Sequence, residues 1–303
     1  MSFRQWSRGR KVLAVAAVTL VVNLVGVLVV VEWAFRERHG DMVSELARRR
    51  QDRFTEPGST RFLIVGDSFS AGELSEARVG FGAYLSQALR QYGYHNDTEV
   101  ISLAMAGSTS QWHYEQVASW IKETGQVPHY VFITTGANNN HSYVFQTHFL
   151  EHSCEADTAP TWLHLLYKVP RSWFWGLDQV AYLLGYASLD DPTKVAFRPL
   201  VKFWRDNKAF MSWINKLIGR WVSAMHDLGQ ARGFTTLVGS YVRTGFHQPV
   251  RVLTRARKIP LYDIESEALE DCMRGWGMFT SDGWHPNDKG NKYLARRLAR
   301  WLV

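Results

Sequence analysis

The sequence predicts an α/β domain built on a parallel sheet and preceded by one apolar helix. Two patterns carry this prediction. From about residue 60 onward, short apolar segments alternate with amphipathic ones, which is typical of parallel strands joined by right-handed helical crossovers and covered by helices on both faces. Ahead of this alternation lies a single long apolar run, at residues 12–31.

The composition is that of a globular protein with a substantial core. The chain has 303 residues, of which 46% are hydrophobic and 21% charged. Its 35 Lys and Arg against 28 Asp and Glu give a net charge of +7. No later stretch pairs dense basic side chains with an aromatic platform, so a nucleic-acid partner is not favoured. Four basic residues lie ahead of the apolar run: Arg4, Arg8, Arg10 and Lys11.

Residues 12–34 are predicted to form an uncleaved transmembrane anchor. The apolar run Val12–Val31 is interrupted only by Thr19, Asn23 and Gly26. At about 1.5 Å per residue it is about 30 Å long, which matches the hydrocarbon core of a bilayer. A signal peptide has a shorter apolar stretch, of about 7 to 15 residues, and ends at a small-x-small site that this segment lacks.

The basic residues predict the orientation of this anchor. The tail at residues 1–11 is more basic than the segment after the run, where Arg36 and Arg38 alternate with acidic residues. The tail is therefore expected in the cytoplasm and the rest of the chain outside it, in a periplasmic or extracellular space. Residues 35–58 are charged, carry apolar residues at helical spacing and end at Pro57-Gly58, so they are predicted to be a helical stalk or linker.

The domain itself is predicted to span residues 59–303. Its strands are expected at Arg61–Val65, Glu99–Ala104, Tyr130–Thr134, Thr235–Gly239 and Leu261–Ile264. Its helices are expected at Phe81–Gln91, Gln111–Lys122, Asn207–Arg232 and Asn287–Leu302.

An insertion at about 141–206 interrupts the alternation and is rich in aromatic residues and prolines. A segment of this length is a lid, a binding module or an oligomer contact, or else a self-packed helical insertion. Cys154 lies within it, and a disulfide with Cys272 and two unrelated thiols are equally compatible with the sequence. His148 and His152 have helical i, i+4 spacing, but no second group of ligands accompanies them, so no metal site is predicted.

Four polar or glycine-bearing turns lie where reactive groups collect in such a fold, mostly at the carboxyl ends of strands. They are Gly66-Asp67-Ser68, residues 106–109, residues 136–140 and residues 281–287.

Together these turns contain the groups that acyl transfer requires. A serine such as Ser68 is a weak nucleophile that needs an adjacent base, for which His285 is the candidate, and Asp282 could hold the imidazole in its working tautomer. The backbone N–H groups of Ser68 and Gly107 and the side-chain amide of Asn138 are suitable donors to an oxyanion. Each residue taken singly could also be an ordinary turn or helix-cap residue.

The order Ser, Gly, Asn and Asp-x-x-His resembles the SGNH hydrolases, also called the GDSL esterase/lipase superfamily. GDSFS resembles the nucleophile block of that family, AMAGST its glycine block, GANN its GxND block and DGWHPNDKG its Asp-x-x-His block. The resemblance covers the chain from about residue 60 to its end, without the insertion. Asn139 stands where the family usually has Asp.

The resemblance implies a three-layer α/β/α sandwich related to flavodoxin and a serine esterase without cofactor or metal. It implies a catalytic triad of Ser68, His285 and Asp282 and an oxyanion hole formed by Ser68, Gly107 and Asn138.

Two hypotheses of function follow. The first is a membrane-anchored, extracytoplasmic serine esterase that acts on a carbohydrate O-acetyl group or an acyl lipid. The second is a catalytically idle accessory subunit of a larger membrane complex, which would contact integral-membrane partners through residues 12–31 and the insertion at 141–206.

Overall fold

A computed structural model describes residues 8–72, 75–94, 97–106, 108–135, 208–241, 248–263, 267–281 and 285–303. The insertion predicted at 141–206 lies outside these ranges, together with Cys154 and the two histidines at its start.

Five strands of the described residues form one sheet, and all of its neighbouring strands are parallel. They are β1 Thr60–Gly66, β2 Thr98–Ser102, β3 Tyr130–Thr134, β4 Thr235–Gly239 and β5 Leu261–Tyr262. Their order in space is β2-β1-β3-β4-β5, which is the flavodoxin-like order with its topological switch point between β1 and β3. The predicted parallel sheet is therefore confirmed, and its switch point lies beside the end of β1.

The described helices are α1 Arg8–Arg49, α2 Ser68–Ala71, α3 Gly82–Gln91, α4 Ser110–Thr124, α5 Lys208–Arg232, α6 Gln248–Arg257, α7 Glu267–Gly275 and α8 Asp288–Leu302. Two hydrophobic clusters separate most of them into two layers. On one face of the sheet α4, α5 and α6 pack together, and on the other face lie α3, α7 and α8.

The alternation of side chains along β1 explains the two layers. Leu63 and Val65 belong to the first cluster, whereas Phe62 and Ile64 belong to the second, because successive side chains of a strand point to opposite faces. All four are essentially inaccessible to solvent. A strand that is apolar on both faces is what a sheet covered by helices on both sides requires.

The anchor predicted at 12–34 and part of the stalk predicted at 35–58 form a single helix, α1, of 42 residues. From Val12 to Trp33, the large apolar side chains whose placement is described are more than half exposed, except for Leu28, which is partly buried. Among the residues that the structure describes, no helix is long and apolar enough to cross a membrane.

The predicted stalk helix ends earlier than expected, at Arg49. The segment that follows is held against the domain by side chains of α4 and of the turn after it. The Trp120 indole donates to the Asp52 carbonyl at 3.1 Å. The Gln126 amide accepts from the Phe54 N–H at 2.9 Å and donates to the Phe54 carbonyl at 3.0 Å. These backbone groups are therefore bonded to the domain and not to a further turn of helix.

Candidate active site

Ser68 lies on a sharp turn between β1 and the short helix α2. Asp67 caps this helix with an extended backbone, and its carboxylate accepts the Phe69 N–H at 3.1 Å. The helix ends at once because Gly72 takes a left-handed conformation, with φ of 69°. A side chain at Gly66 would overlap the hydroxyls of Thr134 and Ser70. The close approach of β1, β3 and α2 that this glycine permits places Ser68 at the switch point of the sheet.

His285 reaches Ser68 from the other end of the chain. Its Nε2 lies 2.8 Å from Ser68 Oγ, and 217 residues separate the two. The segment carrying His285 folds back on residues 278–280: Thr280 donates to the His285 carbonyl at 2.8 Å, and Phe279 and Pro286 form an antiparallel bridge. The structure thus brings together the predicted nucleophile and the predicted base.

The residues after His285 fix this segment in place. Asn287 caps α8 by accepting the Gly290 N–H at 3.0 Å, and its amide donates to the carbonyls of Gly277 and Phe279 at 2.8 and 3.0 Å. A side chain at Gly290 would collide with the Met278 carbonyl. These contacts give a physical reason for the Pro-Asn-Asp-x-Gly part of the C-terminal motif.

Three predicted site residues lie outside the described residues: Asp282, Gly107 and Asn138. The structure therefore describes the Ser–His pair, both neighbours of Gly107 and the residue before Asp282. Within the described part of the chain, no group of three or more His, Cys, Asp or Glu side chains could hold a metal ion. Cys272, on α7, carries a free thiol.

Next to the Ser–His pair lies a buried carboxyl, that of Asp67, which the sequence analysis did not single out. Asp67 is 1% exposed, and the Tyr241 hydroxyl, which follows β4, donates to its Oδ2. Burial raises the pKa of Asp67 to about 6, opposed by hydrogen bonds from Tyr241 and Phe69 and by the charge of His285. In the sequence Asp67 looks like an ordinary helix cap, and nothing local indicates its contact with Tyr241.

A second buried group was also missed. The imidazole of His113, on α4, has no exposed surface. Its Nε2 lies 2.7 Å from Ser108 Oγ and its Nδ1 lies 3.0 Å from Thr135 Oγ1. Burial lowers the pKa of His113 to about 3, partly opposed by the Gly66 carbonyl, so the ring is neutral near neutral pH. A lone histidine on an amphipathic helix gives no sequence signal for such a network.

Several solved structures resemble this one. One is an esterase from a Pseudoalteromonas species, at 15% identity and a TM-score of 0.43, where the match covers 80% of this chain and 99% of that one. Another is a lipase/acylhydrolase from Enterococcus faecalis, at 14% identity and a TM-score of 0.44, where the match covers 80% of this chain and 95% of that one. A third is a mutant of an acetylxylan esterase from Geobacillus stearothermophilus, at 13% identity and a TM-score of 0.46, where the match covers 81% of this chain and 95% of that one. At these identities and TM-scores the similarities do not specify a substrate. No curated protein matches the sequence.

The family comparison covers most of the chain. Residues 62–298 match the model of the GDSL-like lipase/acylhydrolases. The match begins within β1 and ends within α8, so it includes both members of the Ser–His pair. The assignment supports a serine esterase, and the chain belongs to the GDSL-like lipase/acylhydrolase family.

Proposed function

We propose that this protein is a serine ester hydrolase in which Ser68 is the nucleophile and His285 the general base. The observation that carries the proposal is the 2.8 Å contact between Ser68 Oγ and His285 Nε2. A serine hydroxyl becomes an effective nucleophile when an adjacent imidazole takes its proton. Such a pair requires that the two side chains be in hydrogen-bond contact. The fold brings them together at the switch point of the sheet, although they lie far apart in the sequence.

The reaction proceeds in two halves. Ser68 Oγ attacks the carbonyl carbon of the ester while His285 Nε2 takes the hydroxyl proton. The tetrahedral intermediate then expels the alcohol, which receives that proton, and leaves an acyl group on Ser68. Water, deprotonated by His285, attacks this acyl-enzyme, and the acid leaves as Ser68 regains its proton.

The remaining roles in this mechanism come from the family resemblance. Asp282 orients the imidazole and stabilises its charged form. The N–H groups of Ser68 and Gly107 and the amide of Asn138 donate to the oxyanion. The substrate class is an acyl ester of a carbohydrate or a lipid.

A fluorophosphonate probe tests the proposal, because it reacts with activated serines. The wild-type chain is expected to be labelled at Ser68 and Ser68→Ala to be unlabelled. Ser86→Ala is the matched control: it removes a hydroxyl on α3 that donates to the Thr98 carbonyl, and it should retain labelling. A folded wild-type protein that takes up no label would overturn the hydrolase and leave the idle accessory subunit as the remaining hypothesis.

We also propose that the apolar part of α1 lies in a membrane, with residues 1–11 in the cytoplasm and the domain outside it. Support comes from the sequence of residues 12–31 and from the exposure of consecutive side chains such as Leu20, Val21 and Val22, at 71%, 58% and 63%. Consecutive positions point to different sides of a helix, and a helix that is apolar all round needs an apolar environment.

Alkaline extraction of cell membranes tests the anchor. The wild-type chain should stay with the membrane pellet, and a variant with Val21→Glu and Val25→Lys should be released or fail to insert. Matched changes at exposed positions of the domain, Val252→Glu and Tyr92→Lys, should leave the protein in the pellet. Release of the wild-type chain by alkaline carbonate would contradict the anchor.

A further inference from the structure

We propose that His113 is a positioning residue of the active site, which holds the end of β1, the segment after β2 and the end of β3 in the spacing that oxyanion stabilisation requires. The inference rests on the proposed function, because it takes Ser68, Gly107 and Asn138 as the oxyanion donors.

The hydrogen-bond network assigns the tautomer of the ring. The Ser108 hydroxyl has a single proton, and two carbonyls accept it: Gly66 at 3.0 Å and Met105 at 2.7 Å. Ser108 Oγ therefore accepts a hydrogen bond from His113, which places the imidazole proton on Nε2. The unprotonated Nδ1 then accepts the hydroxyl proton of Thr135. Each polar atom of the ring thus has a partner in one fixed arrangement.

The hydrogen-bond network around the ring joins the end of β1, the segment after β2 and the residue after β3. Gly66 is the last residue of β1 and lies two positions before Ser68. Ser108 directly follows Gly107 in the segment after β2, and Thr135 directly follows β3 and comes three positions before Asn138 in the sequence. One imidazole therefore connects the segments that carry the nucleophile and the three proposed donors.

Burial makes these connections rigid. Ser108 and Thr135 are each 1% exposed and His113 is 0% exposed. In such surroundings hydrogen bonds are strong, and an unpaired polar atom is costly. The Thr109 hydroxyl caps α4 and so fixes the helix that carries His113. Because burial lowers the pKa of His113 to about 3, the ring stays neutral near neutral pH and its protonation does not disturb this arrangement.

The consequence for catalysis follows from how oxyanion donors act. They stabilise charge that develops only in the transition state, and the loss of one donor lowers kcat about 100- to 1,000-fold. A misplacement of about 1 Å can cost about 100-fold. Loss of the imidazole partners is therefore expected to lower kcat while substrate binding, and with it KM, changes little.

The test uses the full chain in mild detergent with p-nitrophenyl acetate as substrate. His113→Phe keeps the size of the ring but removes both hydrogen bonds, and kcat is expected to fall about 10- to 100-fold with KM within about twofold. Thr135→Val removes one bond with little change in shape and should give a smaller fall. Added to His113→Phe, it should cause no further loss, because the shared bond is already gone.

His129→Phe is the matched control. It removes a histidine whose Nδ1 accepts the Arg61 N–H at 3.0 Å, just ahead of β3 and thus at the opposite end of the sheet. It should leave kcat unchanged. Thermal midpoints of all variants separate folding from catalysis, and His113→Gln, which can still donate to Ser108, should recover part of the lost kcat.

The outcomes separate this inference from the proposed function. An inactive wild-type chain that takes up no probe at Ser68 would overturn both. An active wild type with unchanged kcat in Thr135→Val and in folded His113→Phe would overturn the inference and leave the esterase intact. If His113→Phe does not fold, unchanged kcat in Thr135→Val alone overturns it.

Discussion

Replacement of Asp67 by Asn removes a carboxyl whose pKa the fold raises from its ordinary value of 3.8 to about 6. The cause is burial, since the residue is 1% exposed beside Ser68. The folded state therefore holds this proton more tightly than the unfolded chain does. The contribution of Asp67 to stability is fully present below about pH 3.8 and is lost as the pH rises through about 6.

The size of this loss follows from the two values. At about 1.4 kcal/mol per pKa unit, the difference between 3.8 and about 6 corresponds to about 3 kcal/mol. About 2.5 kcal/mol of it falls between about pH 4 and pH 8. Asn can keep only one of the acceptor contacts with Phe69 and Tyr241, which costs about 1 kcal/mol at every pH. The prediction is therefore made on the change with pH and not on the absolute stability.

Urea unfolding of the full chain in mild detergent, followed by tryptophan fluorescence, measures this change. The unfolding free energy of Asp67→Asn minus that of the wild type should rise by about 2.5 kcal/mol between about pH 4 and pH 8. Asp97→Asn is the matched control, because the Asp97 side chain is 81% exposed and its contact with Arg90 is 3.4 Å long. Its difference from the wild type should stay nearly flat. A flat difference for Asp67→Asn as well would refute the reasoning that burial raises this pKa.

Three further results are expected. His285→Ala should lower kcat on an activated ester by about 10⁴-fold or more, because Ser68 loses its base; full activity in the variant would contradict the mechanism. Gly290→Ala should lower the thermal midpoint and the rate of fluorophosphonate labelling, because the new Cβ collides with the Met278 carbonyl. Its control is Gly219→Ala on α5, where nothing lies within 4 Å of the new Cβ; this change should stabilise the chain by up to about 1 kcal/mol. Glu99→Ala removes the acceptor of the Thr55 and Glu56 N–H groups, so trypsin in limited proteolysis should cleave the segment before β1 faster. An unchanged cleavage rate would show that these hydrogen bonds contribute little to holding the segment against the domain.

Elements with a strong local signal were predictable from the sequence. The strands at Tyr130–Thr134 and Thr235–Gly239 have the predicted bounds, and the last helix begins one residue after its predicted start, at Asp288. Each strand is a short run rich in the β-branched and aromatic residues that favour strands. The helix has Asn287 as its cap, so its start is encoded in the neighbouring residues.

Elements whose structure depends on distant contacts were not predictable. Helices α6 and α7 present few apolar residues, and their buried positions, such as Val250 and Met273, are recognisable only against the sheet. The end of α1 at Arg49 depends on Trp120 and Gln126, which come much later in the chain.

In the candidate site, too, the residues with a local sequence signal were predictable and those that depend on distant contacts were not. The family blocks predicted that Ser68 and His285 belong together, and the structure places them in contact, while their catalytic roles stay a prediction. Asp67 and His113 were missed because their partners, Tyr241 and Thr135, share no motif with them. Residue type and spacing can indicate a reactive pair, but not the buried groups that support it.

The sequence separation of 217 positions from Ser68 to His285 also sets the order in which the enzyme matures. A ribosome that adds about 5 to 20 residues per second needs about 10 to 40 seconds to pass from one to the other. In the proposed mechanism, the nascent chain carries its nucleophilic serine without a base during this interval. By that mechanism ester cleavage begins only after the C-terminal segment has been synthesised and has folded onto the sheet, and a chain whose synthesis stops before His285 is expected to be inactive.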